Sequence, residues 1–212
     1  MQQTAIDCAA EQRESLRKNG FLLVKAAIDP ALLEKSVAPA WETIEFYGAK
    51  YKKAGEDLPY CLPLPIKNHT ALLDHAEALL TQLGAEPYWL QNLMLIMKRP
   101  GEERRFWHTD RPSIYEPAAE DADELLVLYM LQPTTMENGC ILVVPGYAEG
   151  PQHSDRVATP IDGEHPVQTE LGDVIIMDPR LLHGSLANET ADYRFNVRLW
   201  IQCRWKERNQ SC

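Results

Sequence analysis

The stretch Trp107-His108-Thr109-Asp110, answered far downstream by His183 and then by Arg194, carries the reading of the fold. Side chains on a β-strand alternate with period 2, so a strand through this stretch sets His108 and Asp110 on one wall. With His183 on a neighbouring strand, two imidazoles and one carboxylate cap one face of an octahedral metal and leave the opposite face open, the facial arrangement of non-haem Fe(II) centres. Open positions point to catalysis rather than scaffolding. An iron of this kind takes electrons for dioxygen from a bidentate co-substrate, and an arginine suits the far carboxylate of a keto-diacid. Arg194 is that candidate, and Arg198, four residues on and on the same strand face, is its rival. His-x-Asp alone is a weak signal. A hydrogen-bonded pair at a strand edge, with His183 capping another strand, is the plain structural alternative.

The surroundings strengthen the metal reading. Asn138-Gly139-Cys140-Ile141-Leu142-Val143-Val144-Pro145-Gly146 reads as a turn, a buried strand and a stop. Gly172-Asp173-Val174-Ile175-Ile176-Met177-Asp178 reads as a turn feeding a strand that delivers Leu182-His183-Gly184-Ser185 soon afterwards. In this order of motifs, closed by Arg194, the chain resembles the phytanoyl-CoA dioxygenase family of Fe(II)- and 2-oxoglutarate-dependent oxygenases. The resemblance runs from about Leu16 to about Gln202, with Arg17-Lys18-Asn19-Gly20-Phe21-Leu22-Leu23-Val24 similar to the family's opening helix and strand.

The resemblance implies Fe(II) on His108, Asp110 and His183, with 2-oxoglutarate and O2 as co-substrates. It favours Arg194 over Arg198 as the anchor of the distal carboxylate, because Arg194 has the family's spacing from the second histidine. It also gives Ser185, two residues past His183, a share in that carboxylate; a turn serine bonded to local backbone is the alternative. Gln91 and Lys98, on the strand preceding the metal motif, are further co-substrate candidates. Many family members carry a Trp against 2-oxoglutarate where Leu126-Val127-Leu128-Tyr129-Met130 puts Leu128 here. Arg104, Arg105, Trp107 and Arg111 bracket the metal motif and form a candidate anion pocket for substrate, against the default of a solvated charge cluster. His69, His75, His153 and His165 lack partner spacing and read as solvated. The implied reaction is hydroxylation of an unactivated C–H bond of a small metabolite with release of succinate and CO2, in a bacterial or fungal specialised pathway. Asp110 argues against halogenation, which in similar proteins goes with a small residue at that place. Desaturation, cyclisation and epimerisation use the same ligands. Two further readings are a metal-binding cupin-like isomerase or binding protein, and an interaction protein with a vestigial triad.

Composition agrees with this. A chain of 212 residues suits one domain with a sizeable core, here a helical part over about 1–88 and a jelly-roll core over about 89–205. Lys plus Arg number 21 against 31 Asp plus Glu, a formal charge of -10 that repels nucleic acid and anionic membrane surfaces. The first residues show no basic segment leading into an apolar run, and no apolar stretch is long enough to span a bilayer, so a soluble cytoplasmic protein, monomer or homodimer, is expected. Cys8, Cys61, Cys140, Cys203 and Cys212 are odd in number and unpaired by spacing, which argues against a disulfide framework or a zinc site.

Helices are expected first and strands afterwards. Ala9 to Lys18 stops at Asn19-Gly20; a second helix starts at Asp29-Pro30, is kinked or divided by Pro39, and ends at Tyr47-Gly48; a third runs from Asn68 to Leu83. Phe21 to Val24 reads as a buried strand, and later strands are expected at Leu90 to Met97, Arg104 to His108, Glu124 to Leu131, Cys140 to Val144, Val174 to Met177 and Tyr193 to Cys203. The fold class is mainly β with flanking helices, a double-stranded β-helix or cupin-like jelly roll. Arg111 to Asp123 and Tyr147 to Glu170 are long enough to be lids over a site.

Overall fold

The computed structural model describes residues 9–110, 123–146 and 157–205. Helix α1 (Ala9–Asn19) leads through Gly20, whose φ of 76° admits the turn, into β1 (Phe21–Val24). Helix α2 (Pro30–Ala54) starts where Asp29 accepts a hydrogen bond from the Ala31 N–H at 2.9 Å. It runs unbroken through Pro39 and past Gly48. Leu33, Ser36, Ala40, Thr43 and Ile44 make one buried face on both sides of the proline. Burial of that face outweighs the backbone bond the proline removes, a cost of about 3 kcal/mol. After β2 (Cys61–Pro63), α3 (Thr70–Leu83) buries Leu72, Ala76, Leu79, Leu80 and Leu83.

The remaining strands are β3 (Ala85–Lys98), β4 (Arg105–His108), β5 (Asp123–Met130), β6 (Ile141–Val143), β7 (His165–Val167), β8 (Val174–Met177), β9 (His183–Ser185) and β10 (Arg194–Trp205). They form a six-stranded sheet in the order β1-β8-β5-β10-β3-β2 and a four-stranded sheet in the order β4-β9-β6-β7, with antiparallel pairing throughout. This is the double-stranded β-helix expected. β1 and β2, from the mostly helical part, are edge strands of the larger sheet. Two short strands, β2 and β7, are absent from the sequence reading, and β9, the neighbouring strand on which it sets His183, has no bounds there. The expected second lid is in part sheet, since β7 pairs with β6 and Thr169 bridges to Thr134. Residues 111–122 and 147–156, which hold the first lid and the rest of the second, lie outside the described residues.

Strand parity sorts the core into two layers. On β10, Phe195, Val197, Leu199 and Ile201 share a buried cluster with α2 and α3, as do Leu93, Leu95 and Met97 of β3 and Leu125, Val127 and Tyr129 of β5. The alternate residues Leu126, Leu128 and Met130 of β5 pack with Ile175 and Met177 of β8 and with Ile141 and Val143 of the smaller sheet. On β3 and β10 the corresponding row includes Ile96, Lys98, Arg194, Asn196 and Arg198. Long polar and cationic side chains therefore point between the sheets, where apolar residues would be cheaper to bury. That row locates the site. Among the described residues no helix is long and apolar enough to cross a membrane.

Candidate metal centre and co-substrate cleft

β9 lies between β4 and β6, with His183 opposite His108 on one side and Val143 on the other. A Cβ on Gly184 would stand 3.0 Å from the Arg105 carbonyl, so the glycine permits the close approach of β4 and β9. Side-chain donor atoms of His108, Asp110 and His183 lie within 4.8 Å of one another. His108 Nε2 is 3.9 Å from Asp110 Oδ1, and His183 Nε2 is 4.0 Å from Asp110 Oδ2. Each imidazole is oriented from behind: His108 Nδ1 donates to the Phe106 carbonyl at 3.0 Å and His183 Nδ1 to the Leu181 carbonyl at 2.9 Å. A carbonyl only accepts, so the proton sits on Nδ1, which leaves Nε2 of each ring as the nitrogen that would ligate a metal. Burial, reinforced by the neighbouring His183, holds His108 well below its usual range and so neutral, the form that ligates.

Asp110 is not on β4. The strand stops at His108, and the Asp110 N–H is held by the Pro179 carbonyl at 2.9 Å, so the loop before β9 positions the carboxylate. Burial alone would raise this carboxyl, but the charges facing it, His183 and Arg198 foremost, outweigh burial and hold it below the ordinary range. Arg198 Nη1 donates to Asp110 Oδ2 at 2.9 Å, and the guanidinium lies 5.4 Å from the Trp200 ring centroid. Arg198 thus faces the cleft and holds the metal carboxylate; it is not a surface charge.

Arg194 enters the same cleft from the same strand face and is 4% exposed. Its side chain makes no hydrogen bond or ion pair among the described residues, and burial pushes it down to about 10. Ser185 Oγ and Asn196 Oδ1 are also buried in the cleft without a partner among the described residues. Lys98, paired in register with Arg194, lines the cleft, donates to the Glu103 carbonyl and lies 3.7 Å from Glu102. Burial pushes Lys98 down to about 8 against the pull of Glu102. Leu128 takes the wall position expected of it.

Other sequence candidates fall elsewhere. Gln91 is exposed, bonded to Gln202 at 3.3 Å and away from the cleft. The register on β10 slips between Trp200 and Ile201, whose partners are Asn92 and Leu90, so Gln91 is the unpaired residue of a bulge. Trp107 is core rather than substrate surface: it is 1% exposed, packed with Leu142, Val144 and Leu182, and its Nε1 donates to the Thr159 carbonyl at 2.9 Å. Arg104 pairs with Glu164 and lies 5.2 Å from the Trp107 ring, outside the cleft. Arg105 does line the cleft, because a bulge between Arg105 and His108 brings both to the inner face. Arg111 and His153 lie outside the described residues. His69 and His75 are not solvated: His69 is 1% exposed beside Ser36, and His75 bridges Tyr129 Oη at 2.9 Å and the Ala27 carbonyl at 2.8 Å. Cys61, Cys140 and Cys203 are free thiols. The sequence reading missed Asn196, although its place midway between two inward arginines is a parity signal, and missed Tyr60 and Glu102, which no local pattern marks.

Residues 16–196 match the family model described as phytanoyl-CoA dioxygenase (PhyH), and the chain belongs to that family. It is 28% identical over 137 residues to "Dioxygenase aneA" of Aspergillus aculeatus, covering 63% of this chain and 45% of that protein. It is 25% identical over 201 residues to "Dioxygenase af480" of Aspergillus fumigatus, covering 84% of this chain and 61% of the relative. The chain therefore spans about half the length of the curated relatives it matches. In fold it is similar to SnoK, described as a non-heme alpha ketoglutarate dependent carbocyclase from nogalamycin biosynthesis, with a TM-score of 0.69, 17% identity, and coverage of 98% of this chain and 90% of that one.

The donor set fits a divalent metal, with two imidazoles and one carboxylate converging and no further protein ligand grouped with them among the described residues. In Arg198→Ala the divalent-metal affinity falls about 10- to 100-fold, as for other groups that orient a ligand. Calorimetric titration with Co(II) reads this directly, and an unchanged affinity would remove Arg198 from the centre.

Proposed function

We propose that the chain is an Fe(II)- and 2-oxoglutarate-dependent oxygenase that hydroxylates an unactivated C–H bond of a small metabolite. The observation that carries the reading is the buried guanidinium of Arg194, which has no anionic partner among the described residues and shares a cleft with the His108, Asp110 and His183 donors. A buried cation without an anion is costly unless a ligand supplies one. Ser185 Oγ, on the facing sheet and without a partner among the described residues, adds a donor for the same carboxylate.

When bound, Fe(II), 2-oxoglutarate and O2 supply hydrogen abstraction and oxygen insertion with loss of succinate and CO2. The protein does the rest. His108 and His183 are fixed in the ligating tautomer by their carbonyl partners, and Asp110 is held against Arg198. Arg194 and Ser185 grip the distal carboxylate, while Lys98 adds positive charge beside it. Leu126, Leu128, Ile141 and Met177 wall the cleft with apolar surface that excludes water. The whole chain, 1–212, acts as one catalytic unit in this reading. SnoK, similar in fold, is described as a carbocyclase, so the fold does not by itself decide the product, which in this reading depends on how the substrate lies.

The test is anaerobic titration of the Fe(II)-loaded protein with 2-oxoglutarate, read by calorimetry and by the weak metal-to-ligand charge-transfer band, followed by a succinate assay in air. Saturable binding with the band and succinate formation support the reading; no binding by the intact chain sinks it. The affinity has a pH signature. Lys98 is protonated below about 8 and loses its charge above it, so affinity for the dianion falls as pH rises from 7 to 9, and Lys98→Met flattens that slope. A slope that survives in Lys98→Met assigns it to another group.

A further inference from the structure

Among the described residues four cations line the cleft, Lys98, Arg105, Arg194 and Arg198, against two carboxylates, Glu102 and Asp110. Two positive charges are thus uncompensated, and a divalent metal with a dianionic co-substrate leaves that balance unchanged. This excess sits inside a chain of formal charge -10. Three of the four cations already have work: Arg198 holds Asp110, Lys98 faces Glu102 and the Glu103 carbonyl, and Arg194 awaits the co-substrate carboxylate. Arg105 makes no hydrogen bond or ion pair among the described residues. Its guanidinium lies 3.5 Å from the centre of the Tyr60 ring.

That stack is built on anchored backbone. The Met97 N–H donates to the Tyr60 carbonyl at 2.8 Å, the Arg99 guanidinium donates to the Leu58 carbonyl, and β2 begins directly after Tyr60 on the edge of the larger sheet. On the other side, the β4 bulge turns Arg105 inward opposite Ser185. Tyr60 is 40% exposed and lines the cleft, so the stack stands where the cleft meets solvent. A guanidinium lying flat on an aromatic ring is steadied by the ring and keeps its N–H edge directed sideways, matched to a planar two-oxygen acceptor.

We propose that Arg105, steadied by Tyr60, binds a carboxylate of the substrate, so that the substrate class is a small carboxylic acid held by its anionic end at the cleft mouth with the carbon to be oxidised directed inward. The assignment rests on the co-substrate reading above. It makes Arg105 a specificity residue: a neutral analogue leaves its charge unanswered, while the acid answers it.

The full chain, loaded anaerobically with Fe(II) and saturating 2-oxoglutarate, is titrated with benzoate, methyl benzoate and phenyl phosphate, following heat and the charge-transfer band. Benzoate is expected to bind about tenfold or more tighter than its ester, as a charge-assisted bidentate contact allows, and to shift the band without abolishing it. Arg105→Gln is expected to lose that preference, and Tyr60→Leu, which keeps the cation, to weaken it; thermal melting checks that both variants fold. Equal binding of acid and ester, an acid preference that survives Arg105→Gln, or loss of the band as benzoate displaces 2-oxoglutarate overturns the proposal. Tighter binding of phenyl phosphate than of benzoate overturns the carboxylate assignment. A loss of about tenfold or more in 2-oxoglutarate affinity in Arg105→Gln places Arg105 in the co-substrate site instead. Absence of any 2-oxoglutarate binding by the unaltered protein is failure of the oxygenase reading, a result distinct from all of these.

Discussion

Asp110→Ala is expected to abolish tight metal binding and, in the oxygenase proposed, to take succinate formation to background. Asp110 is the one carboxylate of the donor set, beside two imidazoles. The variant also strips Arg198 of its partner at 2.9 Å, so a metal approaching the site meets a bare cation instead of a carboxylate. Unit charges about 4 Å apart interact by roughly 4 kcal/mol at an effective dielectric of 20, so an affinity loss of at least about 100-fold is expected. The unfolding temperature of the metal-free protein should fall too, because removing one member of a largely buried pair leaves the other desolvated and uncompensated. Adding Arg198→Leu separates the two effects. The double variant recovers thermal stability, since the orphaned charge is gone, yet gains no metal affinity. Co(II) calorimetry and a melting curve on the three proteins decide it; a single variant that still binds metal tightly would move the centre away from Asp110.

Much of this was legible in the chain because period-2 alternation carries both packing and chemistry. Phe195, Val197, Leu199 and Ile201 announce a buried strand face with Arg194, Asn196 and Arg198 on the opposite one; alternation alone leaves that second face open to solvent, and it is the smaller sheet lying over it that makes these residues line a cleft. What alternation cannot show is where it breaks. The bulge in β4 moves Arg105 onto the face of His108 and leaves Trp107 in a separate apolar cluster, and the bulge in β3 turns Gln91 out. Both depend on pairing with distant strands, so no local pattern encodes them. β2, β7 and β9 are three residues each, too short for periodicity to register. The run of α2 through Pro39 is a tertiary override of a local penalty. Its end is set by Gly55, where φ is 72° and the N–H reaches the Lys52 carbonyl at 3.2 Å; Gly48 only looks like a stop. The bridging of Tyr129 Oη and the Ala27 carbonyl by His75 joins segments 48 and 54 residues apart, invisible to spacing rules.

Arg194→Leu separates co-substrate binding from folding, because its two effects have opposite signs. Two parallel charge-assisted hydrogen bonds to a carboxylate, in a site shielded from water, make 2-oxoglutarate binding weaker by about 2–4 kcal/mol when lost, which is roughly a 30- to 1,000-fold rise in Kd. Metal affinity should hardly move, since Arg194 bonds to none of the three donor residues. The ligand-free protein, by contrast, should melt no lower than wild type, because a 4% exposed guanidinium with no ion-pair partner among the described residues, only the more distant charge of Glu102, opposes folding and leucine does not. Arg194→Lys keeps the charge but not the fork, so it should recover only part of the affinity. The same measurements on Arg198→Ala give the reverse pattern, metal affinity lost first and 2-oxoglutarate affinity only in consequence, because Arg198 is bonded to Asp110 and not free to turn to a ligand. If instead Arg194→Leu bound 2-oxoglutarate normally while Arg198→Ala lost it with metal affinity intact, the two arginines would have to exchange roles, and Arg198 would leave Asp110 whenever the co-substrate enters.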